Sequence, residues 1–187
     1  SSDTGTSQAD FITKVASQTV NATLSAVLSP TDRVLGSLDG GATWTDITGK
    51  VSGTTLAWDG VTLGASGTLM LKVADTVGNQ GPVTSQVYLL DTAAPAAASE
   101  LALSQDTGAS ATDFITATAL QTISARLGAP LSGGDTVWGS VDGGASWTDI
   151  TDQVSGTTLN WTGVTLTGAN SLQLKITDRA GNSSAIA

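Results

Sequence analysis

The chain has 187 residues, a net charge of −9 and neither cysteine nor histidine. That balance excludes a nucleic-acid surface, whose phosphates demand Lys and Arg. It also excludes disulfide staples, His-ligated zinc, and Ser-His or Cys-His catalysis. No apolar run approaches the roughly 20 residues of a membrane-spanning helix.

In chain order, short β-rich runs alternate with Gly, Asp, Asn and Thr punctuation, and helix signals are almost absent. Residues 83–90 read as a strand in which Val87 and Leu89 alternate with Tyr88 and Leu90. Beyond it, residues 91–99 (Asp-Thr-Ala-Ala-Pro-Ala-Ala-Ala-Ser) form a short connection without the Gly-Ser composition of a floppy tether. The spacing predicts further strands over residues 100–105 and 121–127, the latter with Ile123, Ala125 and Leu127 on one face. Residues 136–141 follow, turning at Asp142-Gly143-Gly144 into 146–150. Two more runs, 157–161 and 164–166, flank Thr162-Gly163, and 171–177 alternates through Leu172, Leu174 and Ile176.

The chain also repeats itself. Asp3-Thr4-Gly5 returns as Asp106-Thr107-Gly108, Asp10-Phe11-Ile12-Thr13 as Asp113-Phe114-Ile115-Thr116, and Asp75 through Asn79 as Asp178 through Asn182. The offset is always 103, and about 47 of the 84 aligned positions are identical. A period of that length exceeds solenoid units and suits a self-sufficient domain. About seven strands per period is immunoglobulin-like arithmetic, although the Cys–Trp–Cys pin of antibody domains is missing. The expected fold is therefore all-β, with tandem immunoglobulin-like β-sandwich domains over residues 1–91 and 92–187 in an extended array. The first copy opens where its first strand should have finished, and the second stops before its last. The expectation is a slice of a longer repeat array, or terminal strands supplied by neighbouring repeats or exchanged between chains.

Residues 37–44 (Ser-Leu-Asp-Gly-Gly-Ala-Thr-Trp) and 140–147 (Ser-Val-Asp-Gly-Gly-Ala-Ser-Trp) share the pattern S-x-D-x-G-x-[ST]-W. It resembles the Asp-box of sialidase-type propellers. Two boxes 103 residues apart cannot build a propeller, so the box reads as a hairpin staple: Asp ties turn amides and Gly supplies positive φ. Trp44, Trp58, Trp147 and Trp161 recur at matched positions, with Trp138 extra. Trp58 and Trp161 lie in apolar strands and read as core anchors. Surface Trp stacking on sugar rings defines the alternative, a carbohydrate-binding accessory module.

Fifteen of the sixteen acidic residues are Asp, the short carboxylate of turns and of loop-built hard-cation sites. The candidate metal ligands are Asp3 with Asp10 and Asp106 with Asp113, Asp75 with Asn79 and Asp178 with Asn182, and Asp91 in the connection. Calcium takes six to eight oxygens, and loop carboxylates, Asn and backbone carbonyls supply them. Strand parity points Asp3, Asp10, Asp91, Asp178 and Asn182 at one interdomain junction, where a cation would relieve carboxylate repulsion and lock the angle.

The linker D-T-x-x-P, the D-T-G-x-S-x-x-D-x-I-T loop, the S-x-D-G-G-x-[ST]-W box and T-D-x-A-G-N together resemble the bacterial Ig-like repeats of giant type I-secreted surface adhesins. These include non-fimbrial adhesins, biofilm-associated proteins and the extender domains of an ice-binding adhesin. Residues 74–79 depart from the last motif at Ala74 and Val77 and keep its Asp, Gly and Asn. The resemblance implies extracellular, calcium-rigidified extender domains at a bacterial cell surface, with neighbouring repeats as partners; the lack of His, Cys or any recurring unlike acid–base pair argues against an enzyme, and the lack of a long apolar run against membrane insertion.

Overall fold

Dense Thr, Val and Leu alternation broken by glycine turns gives strands and almost nothing else. The computed structural model describes residues 2–187, which hold fifteen strands, two short 3-10 turns (Thr48–Lys50 and Thr151–Gln153) and no α-helix. The chain divides into two compact units, Ser1–Thr92 and Ala93–Ala187.

The first unit holds β1 (Ile12–Thr13), β2 (Ser17–Thr23), β3 (Arg33–Ser37), β4 (Thr45–Asp46), β5 (Val51–Ser52), β6 (Thr55–Thr62), β7 (Gly67–Ala74) and β8 (Thr84–Leu90). They form one sheet in the order β1-β8-β7-β3-β4 and another in the order β2-β6-β5. The second unit holds β9 (Ser99–Leu103), β10 (Leu120–Arg126), β11 (Thr136–Ser140), β12 (Thr148–Asp149), β13 (Val154–Ser155), β14 (Thr158–Thr165) and β15 (Gln173–Thr177). Its sheets run β13-β14-β10-β9 and β12-β11-β15.

In each unit the inward residues of both sheets share one core, a sandwich-like arrangement. Val34 of β3 meets Leu56, Trp58 and Val61 of β6, with Ile47 and Leu63. In the second unit Val137, Leu174 and Ile176 meet Ile123, Ala125, Leu159, Trp161 and Val164. Leu56 and Leu159 are fully buried, and burial of such a side chain is worth about 1.5–3 kcal/mol. Trp58 and Trp161 are core residues, as their apolar strands imply.

The structure redraws several strand boundaries. The runs 157–161 and 164–166 are one strand, β14, which passes through Gly163 at φ 72°. The pairing with β10 slips between Gln121 and Ile123, so an extra residue on β14 is absorbed as a bulge and the strand continues. The hairpin arm expected over 146–150 shortens to β12, because the box turn occupies Ser146 and Trp147. The run expected over 171–177 begins at Gln173. Ile12 and Thr13, taken as part of a loop, form β1 and pair in parallel with Leu89 and Leu90. A strand of two residues shows no alternation, so periodicity could not reveal it. The predicted strand 100–105 is β9, which pairs antiparallel with β10.

Candidate functional site

The acidic loops follow two designs. In the first, Asp3 Oδ2 accepts the Phe11 N–H at 3.0 Å and Asp10 Oδ1 accepts that of Ile12 at 3.1 Å. The second unit repeats this: Asp106 Oδ2 takes Phe114 N–H at 2.9 Å and Asp113 Oδ1 takes Ile115 N–H at 3.0 Å. Directly after Asp10 and Asp113 the backbone turns left-handed, and Phe11 and Phe114 sit at φ 59° and 60°. A bulky residue in the left-handed region is uncommon and costs energy, and such strain concentrates where a loop is held for a purpose. Asp3 Oδ1 and Asp106 Oδ1 are both buried and accept no hydrogen bond among the described residues. A buried carboxylate oxygen without a donor is costly unless a cation or water satisfies it. Asp113 Oδ1 and the Ile115 carbonyl face Gly108, where a side-chain Cβ would stand 3.6 and 3.1 Å from them. Carboxylate and carbonyl oxygens around a glycine are the donor chemistry of a hard cation.

In the second design the turn engages the carboxylate itself. Asp75 Oδ1 accepts the N–H groups of Val77 (3.0 Å) and Asn79 (2.8 Å), and Oδ2 accepts Asn79 Nδ2 at 2.7 Å. The Asn79 side-chain amide, then the backbone amides, hold the Asp75 carboxyl below the usual carboxylate range. Asp178 is buried and takes Asn182 N–H at 2.8 Å and Nδ2 at 2.9 Å. Each pair closes a tight turn directly after a strand, β7 or β15, and Asn presents its donor, not its oxygen, to the Asp.

Asp91 stands at the C-terminal end of the first unit, and its N–H donates to the Thr13 carbonyl at 3.0 Å. It therefore lies at the same end of that unit as β1 and the loop of Asp3 and Asp10. Asp178 and Asn182 belong to the second unit. Among the described residues no three acidic side chains are gathered as a ready metal cluster.

The boxes are staples. Thr43 donates its N–H to Asp39 Oδ1 at 2.9 Å and its hydroxyl to Oδ2 at 2.6 Å, and Ser37 donates its hydroxyl to Oδ1 at 2.7 Å. Asp142 repeats this with Ser146 and Ser140. Led by the Thr43 and Ser146 hydroxyls, these donors lower both carboxyls to about 2. The box tryptophans are half-buried, and ammonium groups cover them: Lys72 Nζ lies 3.7 Å from the Trp44 ring centre and Lys175 Nζ 4.0 Å from that of Trp147.

One pair of positioning residues has no place in the motif reading. Gln121 is almost wholly buried: its Oε1 accepts Gln105 N–H and the Ser104 hydroxyl, both at 3.0 Å. Its Nε2 donates to the carbonyls of Gln105 (3.0 Å) and Thr118 (2.8 Å). Gln18 does the same for Ser2 and Val15. Each glutamine clamps the base of the Asp3–Asp10 or Asp106–Asp113 loop. The signal was present as a Gln repeated at the 103-residue offset inside a strand of otherwise apolar inward positions.

A scan against models of protein families finds no match, and a search of curated proteins finds none either.

Proposed function

We propose that the chain is a structural spacer: tandem immunoglobulin-like sandwiches of a secreted bacterial surface adhesin or filament, stiffened by calcium. The observation that carries the reading is the recurrence, 103 residues apart, of a strained loop with one buried, unpartnered carboxylate oxygen. A shared scaffold explains repeated cores. Repeated orphan oxygens call for a repeated ligand. Calcium would be held by Asp3 and Asp10 in the first unit and by Asp106 and Asp113 in the second, with Asp91 beside the first loop. Its contribution there is electrostatic cross-linking of loop segments. The Asp75–Asn79 and Asp178–Asn182 pairs act as turn closures in this reading, since amide donors already engage their oxygens. The carbohydrate-binding alternative gains little, because two tryptophans are buried in cores and two others lie under lysines.

The test is calorimetric titration with calcium, followed by thermal melting in calcium and in excess chelator. Ligand at 100 times its dissociation constant stabilises a folded state by about 2.7 kcal/mol. Saturable binding with a raised melting temperature is expected. Identical melts in calcium and chelator sink the reading.

A further inference from the structure

Four of the five tryptophans have a place, two in cores and two beneath lysines, and Trp138 is the fifth. It lies on β11 between Val137 and Gly139, which both face the core, so alternation turns its indole to the outer face of the sheet. On that face one rung gives it a neighbour on each side: Asp149 of β12 and Lys175 of β15. Neighbouring strands lie about 4.8 Å apart, so the carboxylate and the ammonium rise from positions about 10 Å apart with the indole between them. Asp149 is exposed, and Trp138 and Lys175 are half-buried.

The first unit carries the same rung in a closed form. There Leu35 stands between Asp46 and Lys72, and the Arg33 guanidinium pairs with Asp46 Oδ2 at 2.9 Å. Two exchanges at the 103-residue offset open the rung in the second unit: Trp138 stands for Leu35, and Thr136 for Arg33. The Oδ1 atoms are used alike, since Asp46 and Asp149 each accept the N–H (3.0 Å) and the hydroxyl (2.6 Å) of the threonine two residues on. Oδ2 differs: among the described residues, that of Asp149 accepts no hydrogen bond and meets no cation. On the other side of the indole, Lys175 Nζ is held 4.0 Å from the Trp147 ring centre.

We propose that Trp138, Asp149 and Lys175 form a binding surface for a neutral hexopyranose unit of a glycan. One face of a pyranose presents C–H groups, which lie favourably on the negative face of an indole. Its hydroxyls both donate and accept. One donates to Asp149 Oδ2, another accepts from Lys175 Nζ, and the charged partners strengthen both bonds. A hexose ring with a hydrogen bond of about 2.8 Å at either side matches the width of the rung. The flanking charges select the ligand: Asp149 and the net charge of −9 oppose an acidic glycan, and an apolar partner would strip both charges of water without replacing it. The first unit lacks the surface, because Leu35 offers no flat ring and Arg33 already holds the Asp46 oxygen. None of the three residues belongs to the calcium loops.

The test titrates the whole, isotopically labelled chain with cellohexaose and with maltohexaose at millimolar concentration and follows the five tryptophan indole N–H signals. The Trp138 signal should shift saturably with at least one sugar, while those of the core residues Trp58 and Trp161 stay in place. Trp138→Leu, which installs the residue of the first unit, should abolish the binding without unfolding the second unit. Thr136→Arg keeps the indole and gives Asp149 a partner, and it should weaken binding at least fivefold. Absence of a saturable Trp138 shift with both sugars overturns the proposal, as does binding that survives Trp138→Leu. Equal or tighter binding of hexagalacturonate overturns the assignment to a neutral sugar, and unchanged affinity in Thr136→Arg removes Asp149 from the surface.

Discussion

The ring of Trp58 fills the space where Gly36 would carry a side chain. A Cβ on Gly36 would stand 2.4 Å from Trp58 Cζ3, and one on Gly139 would stand 2.6 Å from Trp161 Cζ3. Both tryptophans lie on the sheet facing their glycine, so this contact sets how closely the two layers approach. Gly139→Ala must displace a buried indole or spread the sheets, at a cost of about 1–3 kcal/mol. Gly49→Ala, with nothing within 4 Å, should change stability by less than about 0.5 kcal/mol. Urea midpoints of the two variants check this, and equal midpoints contradict it.

Gly67→Asn should destabilise the first unit and leave the second unchanged. The new side chain would compete for the Leu38 carbonyl and push the Tyr88 ring from its place. Faster hydrogen exchange along β7 and β8, with unaltered exchange in β10 and β14, is the expected pattern. Unaltered exchange along β8 would show that ring and amide can coexist.

Gln121→Ala should cost about 1–3 kcal/mol, since it leaves the Ser104–Gln105 and Thr118 backbone groups without their partner. Its more telling effect is on calcium. With its clamp lost, the loop of Asp106 and Asp113 should hold the ion at least tenfold more weakly, while the first unit's site is unaffected. Calorimetry that finds both sites intact would separate the glutamine from the loop.

Asp106→Asn should remove one calcium site, because the orphaned Oδ1 belongs to that carboxylate. Asp75→Asn should weaken its turn and leave the calcium count unchanged, since its oxygens already accept amide donors. Titration of both variants sorts the aspartates directly, and a site lost with Asp75 would mean they are sorted wrongly.

The boxes make stability depend on pH. Asp39 and Asp142 titrate near 2 in the folded chain against an ordinary 3.8, so the unfolded chain takes up protons first as pH falls. Their contribution is complete above about pH 4 and is lost as pH drops toward 2. An Asp39→Asn, Asp142→Asn double variant should be less stable at neutral pH and lose less between pH 4 and pH 2. Urea midpoints across that window check the sign, and matching slopes would remove the boxes as a cause.

Local chemistry made the all-β character, the repeat, the box staples and the buried tryptophans readable. Alternation at a period of two, Gly-rich turns and a constant offset are properties of neighbours along the chain, and sequence displays neighbours. The bulge at Gly163, the two-residue β1 and the clamp of Gln121 came from partners more distant in the chain. The same holds for the aspartates. Asp75 and Asp106 look alike as Asp beside Thr and Gly, yet amide donors surround one, and the other keeps a buried oxygen that accepts none. Only the tertiary structure tells them apart, because a carboxylate's role depends on which donors the fold brings to each oxygen. Gly67 makes the point at one position: composition records only a glycine, and packing shows that its missing side chain leaves room for the Tyr88 ring.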